Sequence, residues 1–217
     1  VVDKQCINPK HIVAYFDFDG TITNRDTFLP YLYYVVGFWT FFTKLYCLIP
    51  ILLLYGFKVI TNEEAKQKTL TVLLKGFSED LLDKKARVFA RKTLDSYIMP
   101  EVYTKLEYHL EHGHSIVLVS ANLALYLNYW ARRHNLDHVI ATEIEFVNGI
   151  CTGKLKTRNC YGPQKVLRIH EYLNTLSSKF CYSYGYGNSR GDYELLNFVD
   201  EGYFVSGQDI TLWTKTS

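Results

Sequence analysis

Four short islands of this 217-residue chain hold residue types that could do chemistry together. They are Asp17-Phe18-Asp19-Gly20-Thr21, Ser120-Ala121-Asn122, Lys165 in Cys160-Tyr161-Gly162-Pro163-Gln164-Lys165, and Tyr186-Gly187-Asn188-Ser189-Arg190-Gly191-Asp192. Asp17 and Asp19 are two apart, so at a strand end their carboxylates point the same way, and Gly20 lets the chain turn sharply behind them. The islands together offer carboxylates, a hydroxyl, an ammonium, backbone amides and an amide side chain. That set suits phosphoryl transfer, which needs donors around the equatorial oxygens, a cation to neutralise charge and an in-line nucleophile. A carboxylate nucleophile divides hydrolysis into two displacements through an acyl phosphate. Its repulsion from the anionic phosphate is offset by a hard, oxygen-seeking cation such as Mg²⁺ and by a lysine.

Residues so far apart act together only if the fold gathers them. Residues 11–16 (HIVAYF) form a short apolar run that reads as a buried strand. Further strands are predicted over 115–119, 138–142, 179–184 and 203–206, and a hairpin over 143–155 with its turn at Asn148-Gly149. Helices are predicted between them: 100–112 opened by Pro100, 124–134, and 164–176 after Pro163. Asn62 and Ser78 are the expected N-caps of two amphipathic helices, each with acidic residues in the first turn. Strands alternating with helices imply an α/β fold, a Rossmann-like, mostly parallel sheet covered by helices on both faces. Ligands bind such sheets at the carboxyl ends of the strands, and the four islands sit just past those ends or, for Lys165, at the start of a helix.

The islands, in this order, resemble the four motifs of the haloacid dehalogenase phosphatase superfamily, and within it subfamily IB, which includes the phosphoserine phosphatases. The resemblance spans about Ile12 to Ser206. It implies that Asp17 is the nucleophile and Asp19 the general acid/base. It implies that Thr21, Ser120, Lys165 and backbone amides near Gly20 and Ala121 hold the phosphate. Mg²⁺ would be bound by Asp17, the carbonyl of Asp19, Asn188 and Asp192. Asn188 departs from the commonest form of the fourth motif, in which an aspartate stands there. A neutral amide oxygen still ligates Mg²⁺ but brings one charge less. Asp26 lies where phosphoserine phosphatases carry a glutamate that meets the substrate amine; a helix N-cap role fits it equally.

The resemblance also divides the chain. Residues 1–26 and 100–217 correspond to the catalytic core, and 27–99 to an inserted helical cap that sets specificity. The cap has a net charge of +4 and the remainder −2. A basic cap favours anionic substrates, and Arg87 and Arg91, four apart on one helix face, are candidates to clamp a second anionic group. The chain has 34 aromatic residues, and 11 of them lie between Phe28 and Phe57. Residues 28–60 read as two apolar helices separated near 44–50, too short on either side of Lys44 for a double membrane pass of about 20 residues each. The segment could bury its rings in the cap, dip into a membrane interface as a peripheral contact, or pair with a second copy. An apolar stretch after the first motif, with Cys160, Gly162 and Lys165 in the third, also resembles phosphatidylglycerophosphatase C and its relatives. That resemblance raises a lipid phosphate as substrate.

Composition limits the other classes. A content of 48% hydrophobic and 21% charged residues excludes a disordered chain. A net charge of +2 argues against a nucleic-acid partner. The five cysteines are scattered, without a C-x-x-C pair, and argue against a disulfide framework or structural zinc. The histidine pairs His112/His114 and His134/His138 read as turn or surface residues. The first residues are polar and show no signal-peptide pattern. The expected setting is cytoplasmic, peripheral at the inner face of the membrane. The expected activity is Mg²⁺-dependent phosphomonoester hydrolysis on an anionic substrate, a membrane lipid phosphate among the candidates. The alternatives are a soluble phosphatase of small metabolites, phosphoserine-like, and a non-catalytic membrane or partner-binding module.

Overall fold

The computed structural model describes residues 11–177 and 179–215. The first part of the chain runs β1 (Ile12–Phe16), α1 (Phe28–Val36), α2 (Phe38–Gly56), α3 (Asn62–Leu74), α4 (Glu79–Lys92) and α5 (Pro100–Glu111). It continues with β2 (Ser115–Leu123), α6 (Ala124–Arg133), β3 (His138–Thr142), β4 (Ile144–Val147) and β5 (Ile150–Leu155). The last part is α7 (Pro163–Leu173), β6 (Tyr182–Gly187), α8 (Tyr193–Phe198), β7 (Glu201–Ser206) and β8 (Asp209–Leu212).

Six strands form one sheet in the order β3-β2-β1-β6-β7-β8, parallel except for β8. The fold is therefore the expected α/β sheet, with β1 near its centre. All five residues of β1 are buried because the sheet is covered on both faces. Ala14 and Phe16 face a core that continues through Phe18, Ile22 and Trp130 into α1, α3 and α4. Val13 and Tyr15 face the opposite core with Val117, Val119, Ile169 and Leu195. The alternation follows from the two-residue period of a strand. On the first face Phe16 stacks on Tyr186 with centroids 4.3 Å apart, and Tyr186 stacks on Tyr203 at 5.1 Å.

Several elements differ from the sequence reading. β6 covers Tyr182–Gly187 rather than 179–184, because its register with β1 is set by Ile12 opposite Tyr182. β2 runs on to Leu123, past its second motif. β8 is an additional antiparallel edge strand. The cap of α3 is Thr61, not Asn62; its hydroxyl accepts from Glu64 N–H while the Glu64 carboxylate accepts from Thr61 N–H. Ser78 caps α4 as expected. The hairpin β4–β5 turns at Asn148 and Gly149, but stands apart from the main sheet and packs on α3. Cys181 is disulfide-bonded, which the scattered spacing did not reveal, whereas Cys47, Cys151 and Cys160 are free thiols.

The aromatic segment breaks at Gly37, not near 44–50. Gly37 has φ 79° and ψ 168°, a region essentially restricted to glycine. Lys44 and Pro50 lie inside α2. Lys44 does not interrupt the helix because its ammonium leaves the apolar surface and donates to Val72 carbonyl on α3 at 2.7 Å. α1 buries Phe28, Tyr31, Leu32 and Val35, but α2 buries only Leu48 and Ile51. Trp39, Phe57 and Tyr46 are 79%, 78% and 74% exposed. The reading of a buried aromatic hairpin therefore holds for one face of α1, whose Leu29 and Tyr33 are exposed, and fails for α2.

Gly37→Ala should force a side chain into that conformation and cost about 2 kcal/mol. For a domain of this size the expected fall in Tm is about 4–8 °C in a calorimetric scan. An unchanged Tm would show that the α1–α2 break does not depend on the glycine conformation.

Candidate active site

The parallel register makes the site. Phe16 pairs with Leu118 on one side and Tyr186 on the other, so β1 ends level with these two residues, while β2 continues to Leu123. Asp17 extends β1 by one more bond, its N–H donating to Tyr186 carbonyl at 2.9 Å. Ser120, still within β2, and Asn188, just past β6, then lie at the same height beside it. The third island comes from α7, which starts at Pro163 and places Lys165 two residues inside the helix.

Lys165 is only 1% exposed, and its ammonium is saturated. It donates to Asp17 Oδ1 at 2.5 Å, Asp192 Oδ1 at 2.6 Å and Val119 carbonyl at 2.9 Å. A lysine has three N–H donors, so none is left over. Burial alone would push its pKa down, but the two carboxylates outweigh that and hold it above the ordinary lysine value. Asp17 is pushed up to about 6, first by burial and then by the Asp192 charge, with Lys165 pulling the other way. Asp192 Oδ2 is fixed by Asn188 N–H, Ser189 N–H and the Ser189 hydroxyl at 3.2, 3.0 and 2.8 Å.

Gly20 has φ +76°, and a Cβ there would overlap the Asn188 amide, so only glycine lets motifs one and four close up. Thr21 is buried, with its hydroxyl 3.2 Å from Asp17 Oδ2 and 3.3 Å from Asn188 Oδ1. It thus sits between two oxygens that approach one point from different strands. With Asp192 beside them this is an all-oxygen donor set, the chemistry a hard divalent cation such as Mg²⁺ requires. Asp17, Asn188 and Asp192 fit that ion. Asp19 could join only through its main-chain carbonyl, because its side chain is held elsewhere.

Asp19 Oδ1 accepts from Thr27 N–H at 3.1 Å and Thr27 hydroxyl at 2.7 Å, and Oδ2 accepts from Asn122 Nδ2. Thr27 is in turn bonded to Tyr126 hydroxyl at 2.9 Å. Burial, then the nearby Asp26 charge, raises the Asp19 pKa to about 7 despite the Thr27 bonds. A carboxyl that keeps its proton near neutrality can act as a general acid.

These groups line a cavity of about 420 Å³ that also reaches α2, through Leu52 and Tyr55. Ser120 lines it, its Oγ accepting from Asn122 N–H at 3.0 Å, and so does Ala121. Asp26 lines it too and its Oδ1 accepts from Phe28 N–H at 2.9 Å, but the N-cap of α1 is Thr27, not Asp26. Arg87 and Arg91 do not belong to the cavity. They lie on the exposed face of α4, Arg87 over the Tyr129 ring at 5.4 Å, because Leu82, Ala86, Phe89 and Ala90 turn the other face inward. Sequence reading missed Lys66, Asn122 as a partner of Asp19, Thr27 and Asn159. Lys66 and Asn159 carry no motif, and only Asn122, inside the second island, had a signal.

Comparison with known proteins agrees with this geometry. A family model described as haloacid dehalogenase-like hydrolase matches residues 14–197. Protein CicA of Caulobacter vibrioides is 30% identical over 199 residues, covering 89% of this chain and 86% of that protein. In fold, the chain is similar to a protein of unknown function from Bordetella pertussis Tohama I, with a TM-score of 0.75, 23% identity and 88% of each chain covered. It is also similar to a probable phosphoserine phosphatase from Vibrio cholerae, with a TM-score of 0.63, 12% identity, and 91% and 57% of the respective chains covered.

Lys165→Met should leave two buried carboxylates uncompensated and cost about 3–5 kcal/mol near neutrality. The Asp17 pKa is raised in the fold, so it is the ionised form that burial penalises. Without Lys165, which pulls the Asp17 pKa down, that pKa lies above about 6 in the variant, so the loss should shrink as pH falls toward 6 and Asp17 takes up a proton. Urea unfolding on either side of that pH checks the sign; an equal loss at both would show that the two carboxylates do not depend on Lys165.

Proposed function

Because this chain belongs to the haloacid dehalogenase-like hydrolase family, we propose that it hydrolyses phosphomonoesters through an aspartyl-phosphate on Asp17. The observation that carries the reading is the pair of buried carboxylates in one cavity with different partners. Asp17 is neutralised by Lys165, and Asp19 is held by Thr27 and Asn122 with its pKa raised to about 7. In the first step an Asp17 oxygen bonds to phosphorus as the ester bond breaks, and Asp19 gives its proton to the leaving oxygen. In the second, Asp19 takes a proton from water, which bonds to phosphorus as the Asp17–phosphorus bond breaks, freeing phosphate. Ser120 and the nearby backbone amides hold the phosphate oxygens. Mg²⁺, when held by Asp17, Asn188 and Asp192, supplies positive charge for the phosphate oxygens.

We further propose that the substrate is anionic and a lipid phosphate, met at the cytoplasmic face of a membrane. Two features of α2 support this. It is long and apolar enough to cross a membrane by length and composition, yet its Leu48–Ile51 side packs on the cap, so it suits lying in the interface. Its exposed rings Trp39 and Tyr46 are of the kinds favoured there, and Phe57, just past its end, is exposed beside them in sequence. Leu52 and Tyr55 on the same helix line the cavity, giving an acyl chain an apolar path to the carboxylates. The soluble-metabolite reading retains one observation, Asp26 at the cavity wall, which could meet a substrate amine.

Wild-type protein with millimolar-range Mg²⁺ should release phosphate from an aryl phosphate, and Asp17→Asn should release none. Asp19→Asn should lower kcat by about 10²–10⁴-fold, and wild-type kcat/KM should fall as pH rises through about 7 and Asp19 loses its proton. No release by the wild type would favour the non-catalytic binding module.

Flotation with anionic liposomes tests the membrane contact. The wild type should float, and the double variant Trp39→Ser, Phe57→Ser should stay with the soluble fraction. A wild type that does not float counts against a lipid substrate.

A further inference from the structure

The cavity holds a second cation that no motif announces. Asn62, Ala65, Lys66 and Thr69 of α3 all line it. This spacing of three, four and seven residues is one face of a helix, so α3 turns a single face onto the catalytic carboxylates. Lys66 is the cationic residue on that face.

Its position is built, not incidental. The Lys66 ammonium donates to Ala121 carbonyl at 2.5 Å and to Asn159 Oδ1 at 2.9 Å. It lies over the Phe28 ring, 5.2 Å from the centroid. Asn159 is itself locked to both sides of the cavity. Its N–H donates to Glu63 Oε2 at 2.8 Å, its Nδ2 to Asn62 Oδ1 at 2.6 Å, and its Oδ1 also accepts from Thr142 hydroxyl at 3.0 Å. Lys66 is thus held at the second motif, next to Ser120, by a chain of side-chain bonds from cap to core.

The two lysines of the cavity differ in what they have left to give. All three N–H groups of Lys165 are taken by protein acceptors. Lys66 bonds to two protein acceptors, and an ammonium has three donors. The charges facing Lys66 are Asp19 from the first motif, Asp26 before α1 and Lys165 from α7, with the Cys160 thiol nearby. A cation beside the Asp19 and Asp26 carboxylates is where a substrate oxyanion needs one, because those carboxylates would otherwise repel it.

We propose that Lys66 is the substrate-binding cation of the cap, donating its third N–H to an oxyanion of the substrate. This rests on the phosphomonoesterase reading. The oxyanion is either the phosphoryl group itself or a second acidic group on the alcohol side. Lys66, rather than Arg87 or Arg91, then carries the preference of the cap for anions. Burial pulls its pKa down to about 8, so its charge is lost as pH rises through that value.

Calorimetric titration tests this, with Asp17→Asn present in every protein titrated so that no ester is turned over, using inorganic phosphate, glycerol 3-phosphate and 3-phosphoglycerate in the presence of Mg²⁺. Lys66→Met should weaken binding by about tenfold or more. An equal loss on all three ligands places Lys66 on the phosphoryl group, and a loss on 3-phosphoglycerate alone places it on the second acid. Wild-type binding should fall as pH rises above about 8, while Lys66→Arg, whose guanidinium stays charged, should bind like the wild type and keep binding there. An unchanged melting temperature of Lys66→Met separates the ligand contact from a packing role; if that variant does not fold, the arginine pH profile decides. Lys66→Met that binds all three like the wild type, Lys66→Arg that keeps the alkaline fall, or a wild type that binds none of them overturns the assignment. A wild type that binds them through Lys66 but releases no phosphate from an aryl ester sinks the hydrolase reading and leaves the anion site standing.

Discussion

The ammonium of Lys165 between Asp17 and Asp192 is the interaction on which the site depends. Two buried carboxylates sharing one cation would repel each other strongly in a medium of low dielectric. Lys165 supplies both with a hydrogen bond and a charge, and so ties the end of β1, the start of α7 and the turn after β6 into one object. The arrangement leaves one negative charge more than positive among the three groups. That surplus, with Thr21 bridging Asp17 and Asn188, is what makes the place hospitable to a hard cation.

Around this centre the chain separates two jobs. The sheet end holds the groups that make and break bonds to phosphorus. The α-helical insertion supplies the facing wall of the cavity: Lys66 from α3 and Leu52 and Tyr55 from α2. Thr27 belongs to the seam, since it bonds Asp19 through both its backbone and its hydroxyl at the point where the insertion begins. The position of the proton donor is therefore coupled to how the insertion starts. The exposed rings of α2 lie on the same helix that reaches the cavity, so an exposed apolar surface and the cavity wall are continuous.

Legibility varied with how local each cause was. β1 was readable because five consecutive apolar residues before an acid have few other homes. The break at Gly37 was missed because Lys44 and Pro50 look like interruptions, and only the acceptor on α3 shows why Lys44 is tolerated in a helix. Among site residues, Asp17, Asp19, Ser120, Lys165, Asn188 and Asp192 converge as their spacing at strand ends implies. Lys66 and Asn159 were invisible, since a lysine on a helix and an asparagine in a loop are ordinary until the helix is docked. Arg87 and Arg91 show the reverse error: two cations on one helix face are easily noticed, and that face points to solvent.

By itself the sequence determined the reaction chemistry. The identities Asp17, Asp19, Lys165 and Asp192 and their order fix what can attack, donate a proton and neutralise charge, because those are properties of functional groups and of strand geometry two or three residues long. The tertiary structure alone decided which cation faces the cavity and which apolar surface faces outward. Both depend on the rotation of α2 and α3 against the sheet, and that rotation is set by packing and cross-chain hydrogen bonds between residues tens of positions apart, such as Lys66 with Ala121 and Asn159, which no local pattern encodes.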